Sequence, residues 1–465
     1  VELYTLDSFL RRASVVDRFE SMIWTERYSA WGDFELHLFS TPEMRRLLPA
    51  GTRLAMSESY RIMTVEFVEN STDEEGREML KLTGRSLEAL LEDRSARNSF
   101  ADLTTLPKWI LTGTPGDICR QIFDEICRTN VSFAEDEIPF LMPGVIFPPG
   151  NIPEEDTIIT IELGLGTVYK AIKEICEVYD LGFRLIRYFD TSELYFDIYK
   201  GNDRTTLQDV LDPVVFAPDL DNLSNISEIV SISSYKNVAY VWHPVGVQVV
   251  TIDGVSFEIS GFDRKVLTVD ASDIDLPDRE ITMTQAQADA IRAASNLAIN
   301  DELAKTALNK LSSKERLTTL EVAQIVSFIA SAALTSTQRT DITAAKDASV
   351  AYNTTENAYI LPLLQQRGMD ELAKNRALSA FDGELPMNSP YPYEIAYQLG
   401  DLVEMRNSDG VTNQMRVMEQ IFVSDTTGER AYPTLTIDRF ITPGSWFSWD
   451  YNQTWENADG EWGTI

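Results

Sequence analysis

Residues 377–439 read ALSAFDGELPMNSPYPYEIAYQLGDLVEMRNSDGVTNQMRVMEQIFVSDTTGERAYPTLTIDR, and this stretch decides the fold. Leu402 to Arg406 and Met415 to Val423 are extended runs, separated by Asn407-Ser408-Asp409-Gly410, a composition that lets the backbone turn tightly with positive φ at Gly410. The pair predicts a hairpin. In its second strand Met415, Val417, Ile421 and Val423 fall on one face and Gln414, Arg416 and Gln420 on the other, the period of two of a strand covering a core on one side. Glu419 interrupts the apolar face. A turn over Ser424-Asp425-Thr426-Thr427-Gly428 leads into Ala431, Pro433, Leu435 and Ile437, where Pro433 is expected at an edge or a bulge. Three strands in a meander predict the closing part of a small β-barrel.

The chain around this stretch has 465 residues, too many for one core, since single cores stop growing near roughly 250–300 residues. A hydrophobic share of 44% supplies ample core, so the formal charge of −33 is expected on surfaces. Such a charge opposes binding of bare nucleic acid, because the phosphate contribution is repulsive; it serves solubility alone or suits a wall past which DNA slides without sticking. Cys119, Cys127 and Cys176 sit at apolar positions of helical patterns and read as core thiols. The first two are eight positions apart, roughly 12 Å along a helix, which is beyond disulfide reach. An odd, buried set points to folding in a reducing cytoplasm. No apolar run is long enough to span a bilayer and Val1 opens no charged leader, so neither a membrane helix nor a signal peptide is expected.

Five segments are expected. Residues 1–95 form a β-barrel domain, with Phe34, Leu36 and Leu38 alternating with Glu35 and His37, and Met63, Val65 and Phe67 alternating with Thr64 and Glu66. Residues 96–205 form a mixed α/β domain. Its first helix carries Ile118, Cys119, Ile122, Phe123, Ile126 and Cys127; its second carries Val168, Ala171, Ile172, Ile175, Cys176 and Tyr179; a hairpin surrounds Asp190-Thr191-Ser192. A proline-rich connector, Ile138 to Pro153, separates the helices. Residues 206–281 and 376–440 make a second β-barrel domain, split by an Ala-rich insertion of two or three helices over 282–375. Residues 441–465 carry Trp446, Phe447, Trp449, Tyr451, Trp455 and Trp462, which either fold back on the barrel or form an arm that docks on a partner. The expected class is thus α+β and multidomain, with two β-barrel-like domains, a small helix-plus-hairpin domain and an inserted α-helical bundle.

Signatures of catalysis are absent: there is no nucleophile elbow, phosphate loop, paired CxxC or HExxH. His37 lies on the polar face of a strand and His243 between Trp242 and Pro244, neither near a second His or a Cys, so surface or packing roles are expected and no cofactor or metal is assigned. Asp270, Asp273, Asp275 and Asp278 lack the glycine and terminal glutamate of an EF-hand and read as a solvated loop. Gly164-Leu165-Gly166-Thr167 reads as a helix start capped by Thr167 and not as an anion site.

Several phrases carry a family resemblance. FESMIWTERYSAWGDFELHL with PAGTRLAMSESYRIMTVEFVE and LKLTGRSLEALLEDR is similar to the N-terminal domain of actinobacteriophage minor tail proteins of the hub type. The segment from Val214 to Val241, with FAPDL and SYKNVAYV, and the LGD-V and PTLTI strands resemble the second barrel of such hubs, which are similar to the hub proteins of contractile-tailed phages. The resemblance covers residues 1 to about 270 and 376–440. It implies a structural tail-tip (baseplate) hub in the virion: a homotrimeric ring at the distal end of the tail tube, guiding DNA through its lumen without specific binding or membrane insertion. The implied partners are the distal tail protein or tail tube, the tape measure protein and other minor tail proteins. A tail-associated cell-wall hydrolase or peptidase, and a receptor- or glycan-binding module, are the alternative readings.

Overall fold

A computed structural model of the chain describes residues 1–465 except 73–75, 97–108, 129–144, 149–156, 165, 189–192, 221, 253–259, 278, 377, 385–389, 407–411, 427 and 438–465. The chain divides into two compact units, one of residues 1–239, 250–267 and 368–465, the other of 240–249 and 268–367. The architecture is mixed α+β and multidomain.

The first unit is organised by a 13-stranded sheet. Its strands are β1 (Leu3–Leu6), β2 (Arg12–Val16), β3 (Ser21–Arg27), β4 (Asp33–Phe39), β5 (Arg53–Met56), β6 (Ile62–Thr72), β7 (Glu78–Ser86), β8 (Val215–Phe216), β9 (Ser224–Ser231), β10 (Leu378–Glu384), β11 (Leu402–Arg406), β12 (Thr412–Asp425) and β13 (Gly428–Ile437). They run in the order β9-β10-β13-β12-β3-β4-β7-β6-β5-β1-β2, with β8 on β11 and β11 also on β12. The expected hairpin and meander of β11, β12 and β13 form, and β9 pairs with β10 across the insertion.

The expectation of two barrels needs correction: among the described residues the ladder is open and runs through both β-regions as one sheet. It curls nonetheless. Leu3 and Val16 from one edge share a buried cluster with Met22 and Trp24 of β3 and Phe422 of β12. Strands about 4.8 Å apart bring residues so many strands distant together only if the sheet rolls over a common core. A second cluster collects Val214, Phe216, Val403, Met405, Met415, Val417 and Leu435 under the C-terminal strands.

Two bulges set the curl and overturn two details of the alternation. β12 slips register against β13 between Val417 and Glu419, so beyond the slip Gln420, Phe422 and Ser424 turn inward and Ile421 and Val423 are only half-buried. β6 slips against β7 between Val65 and Phe67, and Phe67, expected inside, is exposed. One extra residue in a strand of period two exchanges its faces. Gly84 lies opposite Val65, where a Cβ would stand 1.8 Å from the Thr64 carbonyl oxygen, so only glycine permits the bend. Pro433 sits just past the end of the β10 ladder, where no neighbour needs its missing N–H.

Helices Pro115–Phe123 and Val168–Val178 pack with the hairpin Gly182–Tyr188/Glu193–Tyr199 in a cluster that also takes in Leu6, Ala55, Ile62, Leu87 and Leu91. The helix stripes read from the sequence are its core. Cys119, Cys127 and Cys176 are buried, and burial pushes the Cys127 thiol up to about 12. Strands Val238–His243, Gly246–Thr251 and Val266–Asp270 form their own three-stranded sheet instead of joining the second barrel, as the split-domain reading had them.

In the second unit the insertion is more helical than expected. Helices Gln285–Leu297, Glu302–Ser312, Thr319–Ser331 and Ser336–Ala373 are present, the last continuing past Pro362 and ending in the first unit's residues. Thr284 and Thr318 start two of them through capping boxes with Gln287 and Glu321. Ile291, Ala294, Leu308, Leu311, Ile325 and Ile342 build the core. Thr319–Ser331, apolar on most sides in sequence, buries only Ile325 and Ile329 and leaves Leu320 and Val326 exposed.

Candidate functional site

The residues singled out in the sequence do not converge. His37 lies within 2.7 Å of Glu35 Oε1 on a strand face, with Lys81 on the other carboxylate oxygen. His243 is buried: its Nδ1 accepts from the Val245 N–H, which leaves Nε2–H to donate to the Ile274 carbonyl at 2.9 Å. Asp270 accepts from the Ser272 N–H and Asp273 pairs with Arg367, while Asp278 lies outside the described residues. Thr167 caps its helix by accepting from the Lys170 N–H. Trp446, Phe447, Trp449, Tyr451, Trp455 and Trp462 all lie outside the described residues. Among the described residues no three metal-ligating side chains gather.

What the structure does bring together is a buried polar junction in the first unit. Met22, Trp24 and Glu26 share the inward phase of β3, so Glu26 enters the core, where it accepts from Trp24 Nε1 at 3.2 Å, the Ser59 hydroxyl and Tyr393 OH at 3.1 Å. Arg61 pairs with fully buried Glu88, which also accepts the Leu185 N–H at 2.8 Å, and Arg61 donates on to the Arg27 carbonyl at 3.2 Å. Arg184 binds Asp197 at 2.9 Å and lies 4.2 Å over the Tyr199 ring. Tyr28, buried with Gly182 and Gly400 flat against its ring, donates to the Asp180 carbonyl at 2.9 Å. Charges at inward positions of alternating strands, such as Glu26 after Met22 and Trp24, are the sequence signal that could have located this junction.

Glu394 enters the same junction on a backbone with φ of 65°. Burial and the neighbouring Glu26 carboxylate push its carboxyl up to about 7, against the pull of Arg184 and Arg61. Its unfolded value is near 4.5, so the folded chain holds this proton more tightly and stability falls as pH rises from about 4.5 to 7. Glu394→Gln should therefore melt higher than the parent at pH 8 and match it at pH 4.5. A parent-minus-variant difference in melting temperature that stays flat across this range would refute the assignment.

The surface features that point to assembly are strand edges. β5 pairs with β6 only up to Thr64, so from Phe67 to Thr72 β6 has β7 on one side and, among the described residues, no strand on the other. Every residue from Glu66 to Thr72 is exposed, Phe67 by 53% and Val68 by 36%. At the far end of the sheet β9 has, among the described residues, only β10 beside it, with Ile229 exposed by 52% and Val230 by 44%. Apolar residues on an unpaired edge are a template for another strand. The third edge, β2, is blunted by Arg11 and Arg12.

Fold and edges together define a multidomain α+β protein with β-regions joined edge to edge. The chain belongs to the family described as Siphovirus ReqiPepy6 Gp37-like protein, which it matches over residues 1–435. The tail protein from Neisseria meningitidis MC58 is similar in structure with a TM-score of 0.46, at 12% identity over 95% of this chain and 98% of that one. The 43 kDa tail protein of prophage MuSo2 from Shewanella oneidensis gives a TM-score of 0.46 at 12% identity over 94% and 98%. The E. coli c3393 protein, a type VI secretion system component with structural similarity to T4 bacteriophage tail proteins gp27 and gp5, gives 0.37 at 7% identity over 90% and 73%. No curated protein matches the chain significantly in sequence.

Proposed function

We propose that this protein is the hub of a siphovirus tail tip: three copies form a ring at the distal end of the tail tube, guide DNA through the lumen and anchor the distal tail protein, the tape measure protein and other minor tail proteins. The observation that carries this reading is the join of β12 to β3, seven residue pairs from Glu419↔Arg27 to Asp425↔Ser21 that fuse two β-regions side by side. A chain that already joins β-regions laterally and still has free edges is suited to building a ring from copies of itself. The charge of −33 supports the conduit, because a negative wall repels DNA at short range. In this proposal each β-region behaves as one barrel-like module of the ring.

A three-fold-averaged electron cryo-microscopy map of the tail tip tests it. The expected result is three copies closing the tube, with residues 1–95 and the strands of 206–281 and 376–440 in the ring wall. A chain found only at the periphery of the tip would overturn the proposal and favour receptor binding or wall digestion.

A further inference from the structure

The two β-regions of the first unit are the same unit repeated. In β3-β4-β7-β6-β5-β1 and β9-β10-β13-β12-β11-β8 the strands follow one another in the same order, and in each the three-strand meander (β5-β6-β7, β11-β12-β13) carries one bulge. The bulges align the repeats residue by residue. Val65 before the first corresponds to Val417 before the second, and Phe67 after it to Glu419. Val65 faces Gly84 and Val417 faces Leu435; those partners face Phe34 and Phe381, and Phe34 and Phe381 face Trp24 and Glu228. β3 therefore corresponds to β9, with Thr25 at the place of Ile229 and Glu26 at the place of Val230.

The repeats differ at their last join, where β1 runs antiparallel to β5 but β8 parallel to β11, and in what covers the central strand past its bulge. Past its bulge β12 is covered by β3, and Gln420, Phe422 and Ser424 are buried. Past its bulge β6 has no covering strand among the described residues, and the corresponding Val68, Asn70 and Thr72 are exposed. The equivalent of the missing cover is β9, which among the described residues also has a strand on one side only.

We propose that β6 of one copy pairs antiparallel with β9 of the next, repeating between chains the seam that β12 and β3 make within one. Carrying over the register of the internal seam places Phe67 opposite Ser231, Val68 opposite Val230, Glu69 opposite Ile229 and Asn70 opposite Glu228. No like charges face each other, and Val68 meets Val230 where the internal seam has Gln420 and Glu26. The exposed apolar residues of both edges are thereby covered. This joint is head to tail, so it propagates in one sense and ends only by closing a ring. It deepens the hub reading, and only the number of copies rests on that reading.

Cysteine cross-linking of the full chain tests the seam. Directly opposed residues bring Cβ atoms to about 4.5–5.5 Å, close enough for a disulfide after slight adjustment, and the three native cysteines are buried and do not compete. Under mild oxidation the double variant Val68→Cys/Val230→Cys should convert most of the chain into a ladder of covalent oligomers that ends at the ring size. Either single variant, and Val15→Cys/Val230→Cys, which tests β2 as the partner edge, should yield little. A ladder ending at three supports both seam and trimer. A ladder ending elsewhere keeps the seam and rejects the trimer. Trimers seen by light scattering that do not cross-link, or that cross-link better through Val15, reject the seam and leave the trimer. Monomers at every concentration with no cross-link reject both.

Discussion

Replacing Arg61 by alanine is expected to cost the first unit about 3–5 kcal/mol, because it leaves the Glu88 carboxylate buried without its counter-charge. Glu88 is fully buried and its Oε1 serves two partners at once, the Arg61 guanidinium and the Leu185 N–H. The carboxylate thus ties the segment after β7 to the strand Gly182–Tyr188, and Arg61 ties both to the end of β3 through the Arg27 carbonyl. Calorimetry should show the transition of this unit shifted strongly down, and hydrogen exchange should show faster exchange at Leu185 than in the parent. The paired replacement Arg61→Met/Glu88→Leu removes both charges and keeps apolar volume, so it should recover most of the loss. If the single and paired variants were equally destabilised, packing and not the unpaired charge would be the cause.

Glu356→Ala should be comparably severe in the second unit, about 3–5 kcal/mol, since one fully buried carboxylate there answers two guanidiniums. Arg279 Nη1 lies 2.8 Å and Arg316 Nη1 2.7 Å from the same oxygen, Glu356 Oε2. Ser349, Asn353, Glu356 and Asn357 share a face of the long helix at spacings of three and four, and they hold the two arginines there. Removing the carboxylate leaves two like charges close together with only neutral acceptors. Thermal melts followed by far-ultraviolet circular dichroism should show an early loss of helical signal, smaller for Glu356→Gln, which keeps an acceptor. A melt of the alanine variant that overlays the parent would exclude this role for Glu356.

Much of the fold was legible locally. The alternation in β4, the stripes of the two helices and the pairing of β11 with β12 each rest on residues within a few positions of one another, and each forms where expected, while the turn residues 407–411 lie outside the described residues. The insertion over 282–375 was read as helical for the same reason, as two or three helices where four form among the described residues. Legibility stopped at the bulges: Phe67 and Ile421 were placed on the wrong faces because a one-residue slip leaves no mark in composition. The aromatic residues after 441 were chosen for their type alone, and nothing in the described residues bears on them.

Periodicity, turn chemistry and the family phrases, all short-range signals, were enough for the sequence alone to determine a multidomain α+β chain of siphovirus type. Which strands meet was decided only in three dimensions. Arg27 and Glu419 lie 392 positions apart, yet their ion pair fastens the seam between the two β-regions. Glu88 and Glu356 look like ordinary surface acids until the tertiary structure buries them. A side chain's charge is written in the sequence, but its cost and its partner depend on the dielectric and the neighbours that folding supplies.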